Sequence, residues 1–316
     1  MDTTSSLAEG VLTIFLVILL AIGLKKVKVL NKEHSMLFSK IVVKITLPAL
    51  IFSSLIGQSF NSAYLKMALV MVLVETGIGI LAWAVARSLR LSSVETGALI
   101  LVSAFGMSTM LGYPLISQTF SGDLQAMQEA VVTSEFGVGF LLFIFGPLIA
   151  MYFGGSGVDN KVILRSAGRF IISPVFLSLI LGIAFSFVTM PQINEAYLIG
   201  SRVLDVIAQA NTLMVAMAVG LMIEPKVTGR HLLFVSLAVL LKLLIKPALT
   251  FLMVENTQFT EMMKEIIIIE TAMPSAILGA VFAKQYNCNP ELVSTTVVVT
   301  LIVCLFTVPV LYFFLF

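Results

Sequence analysis

Long apolar runs separated by short polar breaks recur along the whole chain, and none shows the strict alternation of a half-buried strand. A hydrocarbon core of about 30 Å takes roughly 20 helical residues, so each run counts as a span. The pattern predicts ten: Leu7 to Leu24, Ser35 to Ile56, Tyr64 to Arg87, Val94 to Phe120, Gln125 to Phe153, Ile163 to Val188, Tyr197 to Ile223, Leu232 to Val254, Glu261 to Gln285 and Leu292 to Phe316. The runs are too long for the tilted strands of a barrel, so the expected fold is an all-α membrane protein with ten transmembrane helices. Lys25, Lys26 and Lys28 follow the first run instead of preceding it, which argues against a signal peptide and for a retained helix.

Composition sharpens this. Apolar residues make up 59% of the 316 and charged ones 11%, with a mean hydropathy of +1.08. Nineteen basic and 17 acidic side chains are too few and too clustered to cover a soluble globule of 34.2 kDa, which excludes a soluble enzyme. A net charge of +2 gives no basic face for nucleic acid. Cys288 and Cys304 form neither a disulfide framework nor a metal-ligand spacing, and no Gly-x-x-x-x-Gly-Lys-Ser/Thr cradle for phosphate occurs. No cofactor, metal or ATP is therefore expected, and no paired acids or Ser–His arrangement suggests an enzyme.

Lysine and arginine gather after the odd-numbered runs, at Lys25, Lys26, Lys28, Lys32, Arg87, Arg90, Lys161, Arg165, Arg169, Lys226, Arg230 and Lys284. Those loops are predicted cytoplasmic, which places both termini outside a bacterial inner or archaeal cell membrane. Trp83 and Tyr312, near run ends, suit the interface. His34 and His231 are expected in inner-side loops.

Ten spans with five per half would insert the halves upside down relative to each other, an architecture of secondary carriers. The expected boundary lies in Gly154-Gly155-Ser156-Gly157, giving repeats over 1–157 and 158–316. Ser108-Thr109-Met110-Leu111-Gly112 in run four and Ser275-Ala276-Ile277-Leu278-Gly279 in run nine share Ser-x-x-Leu-Gly at an offset of 167. A Pro-Ala-Leu-x-Phe pair beginning at Pro48 and Pro247 is out of that register and is read as coincidence. Gly106, Gly112 and Pro114, and Pro274 and Gly279, mark both runs for interruption, since proline removes a donor and glycine tolerates backbone excursions. Opposed breaks would gather half-helix N-termini around one point, a place suited to an anion.

Ionisable groups at membrane depth cost about 2.5–3.5 kcal/mol each on insertion scales and face a partner or a watery path. The 167 offset relates Glu75 to Lys242, suggesting an ion pair or shared support network. Glu270, four residues before Pro274, sits at the break itself and could satisfy freed amides. Glu135 beside Ser134 and Thr133, and Asp205 with Gln209 and Asn211, are read as hydrogen-bonding groups or relays. Lys44 and Lys246 are expected either to snorkel to the interface or to reach the cavity, where they would add positive charge for a carboxylate.

Lys44-Ile45-Thr46-Leu47-Pro48-Ala49-Leu50-Ile51-Phe52, Ser103-Ala104-Phe105-Gly106 followed by Gly112-Tyr113-Pro114-Leu115, and Glu270-Thr271-Ala272-Met273-Pro274-Ser275-Ala276 together resemble the auxin efflux carrier family, over nearly the whole length. That family includes plant PIN carriers and prokaryotic malate and malonate carriers. The resemblance implies two inverted five-helix repeats with broken, crossing helices four and nine, and a fold similar to the bile-acid symporters, which suggests a coupling Na⁺ or proton at Glu270. It implies a scaffold from helices 1, 2, 6 and 7, a transport domain from helices 3–5 and 8–10, a homodimer, and an elevator motion without ATP. Met107 stands where the family often has Asn, leaving Ser108 and Thr109 as neutral donors. The short central loop, about Gly154 to Lys161, matches the prokaryotic form.

The resulting expectation is a secondary carrier of a small organic anion, an auxin-like carboxylate or malate or malonate. Its site is framed by Ser53, Gly106, Met107, Ser108, Thr109, Pro114, Pro274, Ser275 and Ala276, with Glu75, Glu270 and Lys242 as ion-coupling or supporting residues. A Na⁺-coupled symporter of the bile-acid type and a ligand sensor without net transport remain as alternatives.

Overall fold

The computed structural model describes residues 3–56, 60–155, 157–187, 195–223 and 232–315; Lys226, Arg230 and His231 lie outside them. Among the described residues the structure is helical, and the one extended pairing is an isolated antiparallel bridge between Gly106 and Ser275. Seven helices are long and apolar enough to cross a membrane: Ser5–Lys26, Lys32–Leu55, Ala63–Ser88, Leu124–Phe153, Ile199–Met222, Leu232–Val254 and Pro290–Leu315. An eighth is bent. Run six is the pair Asn160–Ile171 and Pro174–Ser186, meeting at 51° where Ser173 caps the second helix and Pro174 begins it. Its first part is amphipathic, with Lys161, Arg165 and Arg169 exposed along one side and Phe170 buried.

Runs four and nine come in pieces too short to cross alone. Ser93–Ala104 has 12 residues and Glu261–Thr271 has 11, each about 16–18 Å against a core of about 30 Å. Both start at hydrogen-bonded caps: a capping box of Ser92 with Glu95, and Thr260 accepting from Met263 N–H.

Two compact units divide the chain. The first comprises Met1–Ser62, Tyr113–Val131 and Ile171–Ile223. Within it small residues let helices approach closely, as membrane packing favours: a Cβ on Gly220 would fall 2.6 Å from Ala21 Cβ and 2.8 Å from Ile18 O. Three polar side chains there bind across elements. Thr46 donates to Asn211 Oδ1 at 2.8 Å, Ser35 to Ala218 O at 2.9 Å, and Lys25 to Leu221 O and Ile223 O at the end of helix Glu195–Met222.

The second unit comprises Ala63–Gly112, Val132–Phe170 and Glu224–Phe316. Helix Ala63–Ser88 packs on Ser93–Ala104 and on the latter part of Leu124–Phe153, which holds Phe170 through a stacked Phe143 ring at 4.9 Å. Pro290–Leu315 packs on Ile277–Gln285 and Leu232–Val239.

Among the described residues four spans carry a wide π-helical turn, a form that recurs at functional sites: Val42–Thr46, Ser108–Gly112, Glu135–Gly139 and Leu240–Ile245. Two immediately precede a proline in the next turn, Pro48 and Pro247. Leu47 N–H bonds Val42 O and Lys246 N–H bonds Leu241 O, five residues back. The wide turn accommodates the missing proline donor and its steric demand without ending the helix. The Pro-Ala-Leu pair, though out of repeat register, therefore marks the same local geometry twice.

Candidate functional site

In the second unit the breaks of runs four and nine meet. Phe105 leaves helix Ser93–Ala104 in extended conformation (φ −86°, ψ 132°), and Ala276 enters Ile277–Gln285 likewise (φ −65°, ψ 131°). Between these helices the two strands of chain exchange hydrogen bonds: Met107 N–H to Pro274 O at 2.8 Å and Ala276 N–H to Phe105 O at 3.0 Å. The exchange is symmetric, matching Met107 to Ala276 and Phe105 to Pro274, 169 residues apart in each case (276 − 107 and 274 − 105). The Ser-x-x-Leu-Gly register of 167 is thus two residues off the local symmetry of the crossing.

An interrupted helix leaves carbonyls that must find donors inside the membrane. Three at the end of Ser93–Ala104 do. Val102 O accepts from Ser275 Oγ at 2.6 Å, Phe105 O from Ala276 N–H, and Ala104 O from two ammonium groups, Lys246 Nζ at 2.7 Å and Lys242 Nζ at 3.2 Å. Ser275 N–H in turn donates to Thr300 Oγ1 at 3.2 Å. Cations at a helix C-terminus also oppose its partial negative charge.

Both lysines are fully buried. Glu75, 2% exposed, pairs with Lys246 at 2.5 Å. The sequence offset suggested Lys242 as its partner. Four residues separate the two lysines, one turn of helix, and the wide turn over Leu240–Ile245 brings Lys246 to the carboxylate. Lys246 thus does not snorkel, whereas Lys44 is exposed. Lys242 lies against the break itself, where a Cβ on Gly106 would come within 3.1 Å of its Nζ.

A second polar cluster lies beside the crossing. Glu270, fully buried at the end of Glu261–Thr271, accepts from Ser134 Oγ at 3.4 Å, and Ser108 faces the same carboxylate. Gly112 makes room for it: a Cβ there would sit 2.9 Å from both carboxylate oxygens. Glu135, on its own wide turn, accepts from Thr109 Oγ1 at 3.1 Å and is an electrostatic neighbour of Glu270. The oxygens of Ser108, Thr109, Ser134, Glu135 and Glu270 thus lie together beside the crossing.

Gly106, Met107, Ser108, Thr109, Pro274, Ser275, Ala276, Glu75, Lys242 and Glu270 therefore share one unit around the crossing. Two nominated residues do not join them. Pro114 stands at the second position of helix Tyr113–Thr119 in the other unit, a place proline takes without breaking a helix. The break falls at Phe105–Met107 instead. Ser53 is also in the first unit, its hydroxyl donating to Leu50 O at 3.2 Å. Asp205 and Gln209 share an exposed face, while Asn211 is buried against Thr46. His34 closes a capping box with Asn31. Sequence reasoning missed Lys246, Ser134 and Thr300 as members; a lysine directly before a membrane proline, in a span already carrying another, was the available signal.

A family model described as membrane transport protein matches residues 6–155 and 158–312. An uncharacterized transporter of Methanocaldococcus jannaschii is 26% identical over 296 residues, covering 92% of this chain and 93% of that protein. One of Methanothermobacter thermautotrophicus is 25% identical over 306 residues, 95% of this chain and 96% of that one. A probable auxin efflux carrier component 1b of Oryza sativa is 26% identical over 153 residues, 48% of this chain and 28% of the plant protein.

Proposed function

The chain belongs to the membrane transport protein family, that of the auxin efflux carriers, and as such a membrane transporter we propose that it carries a small organic anion, such as malate, malonate or an auxin-like carboxylate. One observation carries the choice of an anion: two buried lysines meet on Ala104 O at the crossing, and the carboxylate there, Glu75, pairs with one of them, Lys246. Lys242, next to Gly106, would hold its proton with the bound anion as its counter-charge. The N-terminus of Ile277–Gln285, which has no side-chain cap, adds partial positive charge at the same place. The bound carboxylate would accept from these donors, with Ser108 and Thr109 as neutral partners.

Glu270 and its hydroxyl neighbours are the proposed seat of a coupling ion, Na⁺ or a proton. A scaffold of helices 1, 2, 6 and 7 would stay fixed in a homodimer while helices 3–5 and 8–10 move as an elevator, through ten crossings counted with the broken runs as single spans; the first unit holds runs 1, 2 and 7 and the latter part of run 6, together with Tyr113–Val131 of runs 4 and 5. Both termini would lie outside the cell. Uptake of radiolabelled malonate and indole-3-acetate into proteoliposomes, with and without imposed Na⁺ and proton gradients, tests the proposal. Saturable uptake driven by one gradient supports it and names the ion. Binding without uptake would instead favour a sensor.

A further inference from the structure

The second unit holds a cavity of about 230 Å³ that borders the crossing at Glu75, Ala104 and Phe105 and extends away from it along helix Ala63–Ser88. Glu75, Gly79 and Trp83 line it at i, i+4 and i+8 on helix Ala63–Ser88, so it follows that helix for about 12 Å. Phe105, at the break of run four, and Phe145 close the other walls. Its two ends differ. Glu75 is 2% exposed, whereas Trp83 and Phe145 are 46% and 45% exposed on helices long enough to cross the membrane, so the mouth opens towards hydrocarbon. Arg87 lies over the Trp83 ring at 6.0 Å, a cation–π contact that steadies it.

The chemistry of the walls restricts the occupant. Three aromatic rings favour another ring in stacked or edge-on contact. At the buried end Glu75 Oε1 is taken by Lys246, while Oε2 has no hydrogen-bond partner among the described residues. An organic anion is unsuited here, since it would bring a second carboxylate against the first. A cation is unsuited as well, because Lys246 already balances Glu75. A neutral ring with one O–H or N–H donor satisfies both the walls and Oε2. The volume, below the usual range for drug-sized ligands, limits it to one or two rings.

We infer that this cavity is a second binding site, for neutral aromatic molecules bearing a single hydrogen-bond donor, such as phenols and indoles, entering sideways from the bilayer. Occupancy reaches the crossing through Ala104, which also walls the cavity and whose carbonyl receives both lysines. Trp83 is the only tryptophan in the chain and reports binding directly. The full-length protein in lipid nanodiscs is titrated with 4-bromophenol and with 4-bromoanisole, which keeps ring and bromine but lacks the donor, while Trp83 fluorescence is followed. Saturable quenching by the phenol, half-complete at a concentration at least about tenfold lower than for the anisole, is expected. Gly79→Leu fills the cavity and should abolish the saturable component. Gly79→Ala, whose Cβ would meet only Ala104 Cβ at 3.7 Å and Ile100 Cγ2 at 3.8 Å, should fold normally and weaken it. Equal, linear quenching by both compounds, or saturation unchanged in both variants, would overturn the inference.

Discussion

Lys246→Met gives the sharpest test of how the crossing is held. The substitution preserves most of the side chain's apolar volume but removes the partner of a carboxylate that is 2% exposed. Ala104 O keeps Lys242 as a donor, so the loss falls mainly on Glu75. Stripping the partner from a buried ion pair costs about 3–5 kcal/mol. With an unfolding entropy of about 2.1 cal/mol/K per residue over 316 residues, that lowers the melting temperature by about 5–8 °C. Adding Glu75→Gln removes the stranded charge, and the double variant should recover roughly half of the loss. Thermal unfolding in detergent, followed by retention of the monodisperse gel-filtration peak, measures all four proteins of the cycle. Additive losses, with no recovery in the double variant, would refute an energetically coupled Glu75–Lys246 pair.

Gly112→Ala should lower stability by about 1–3 kcal/mol and abolish uptake, because its Cβ would sit 2.9 Å from both Glu270 oxygens; Gly77→Ala, with no atom within 4 Å of the added Cβ, is the silent control in the same assays. Ser275→Val strips Val102 O of its 2.6 Å donor inside the membrane and should cost about 1–3 kcal/mol while stopping uptake, read by thermal melting beside transport. Burial pushes the Cys288 thiol up from its ordinary 9 to about 11. It therefore stays protonated at pH 7–8 and should resist maleimide until the protein unfolds, as mass spectrometry would show. Because the unfolded chain ionises first, stability falls as pH rises from 9 towards 11 and is untouched by this group below 9.

Hydropathy alone located the seven long apolar helices, since a chain so poor in charge has few polar breaks and each one shows. The break in run nine was legible because Pro274 can neither donate nor tolerate the preceding turn. That in run four was legible at Gly106, whereas Pro114, marked with it, lies eight residues on in a first helical turn, where proline breaks nothing. Lysine burial was left open by the sequence. A lysine beside a proline reads as one that snorkels or reaches the cavity, and only tertiary packing shows that Ala104 O and Glu75 wait for Lys246. The repeat offset erred by two residues because it rested on side-chain identity, whereas the crossing is built from backbone groups of Phe105, Met107, Pro274 and Ala276.

Equilibrium binding of radiolabelled malonate and indole-3-acetate to purified wild-type protein and to Lys242→Met bears most directly on an anion site at the crossing, with malonamide as a neutral competitor. Saturable binding of one anion, not displaced by malonamide and weakened at least about tenfold in the variant, is the predicted result. Binding of neither anion by the wild type, or equal binding by a folded Lys242→Met, would contradict it.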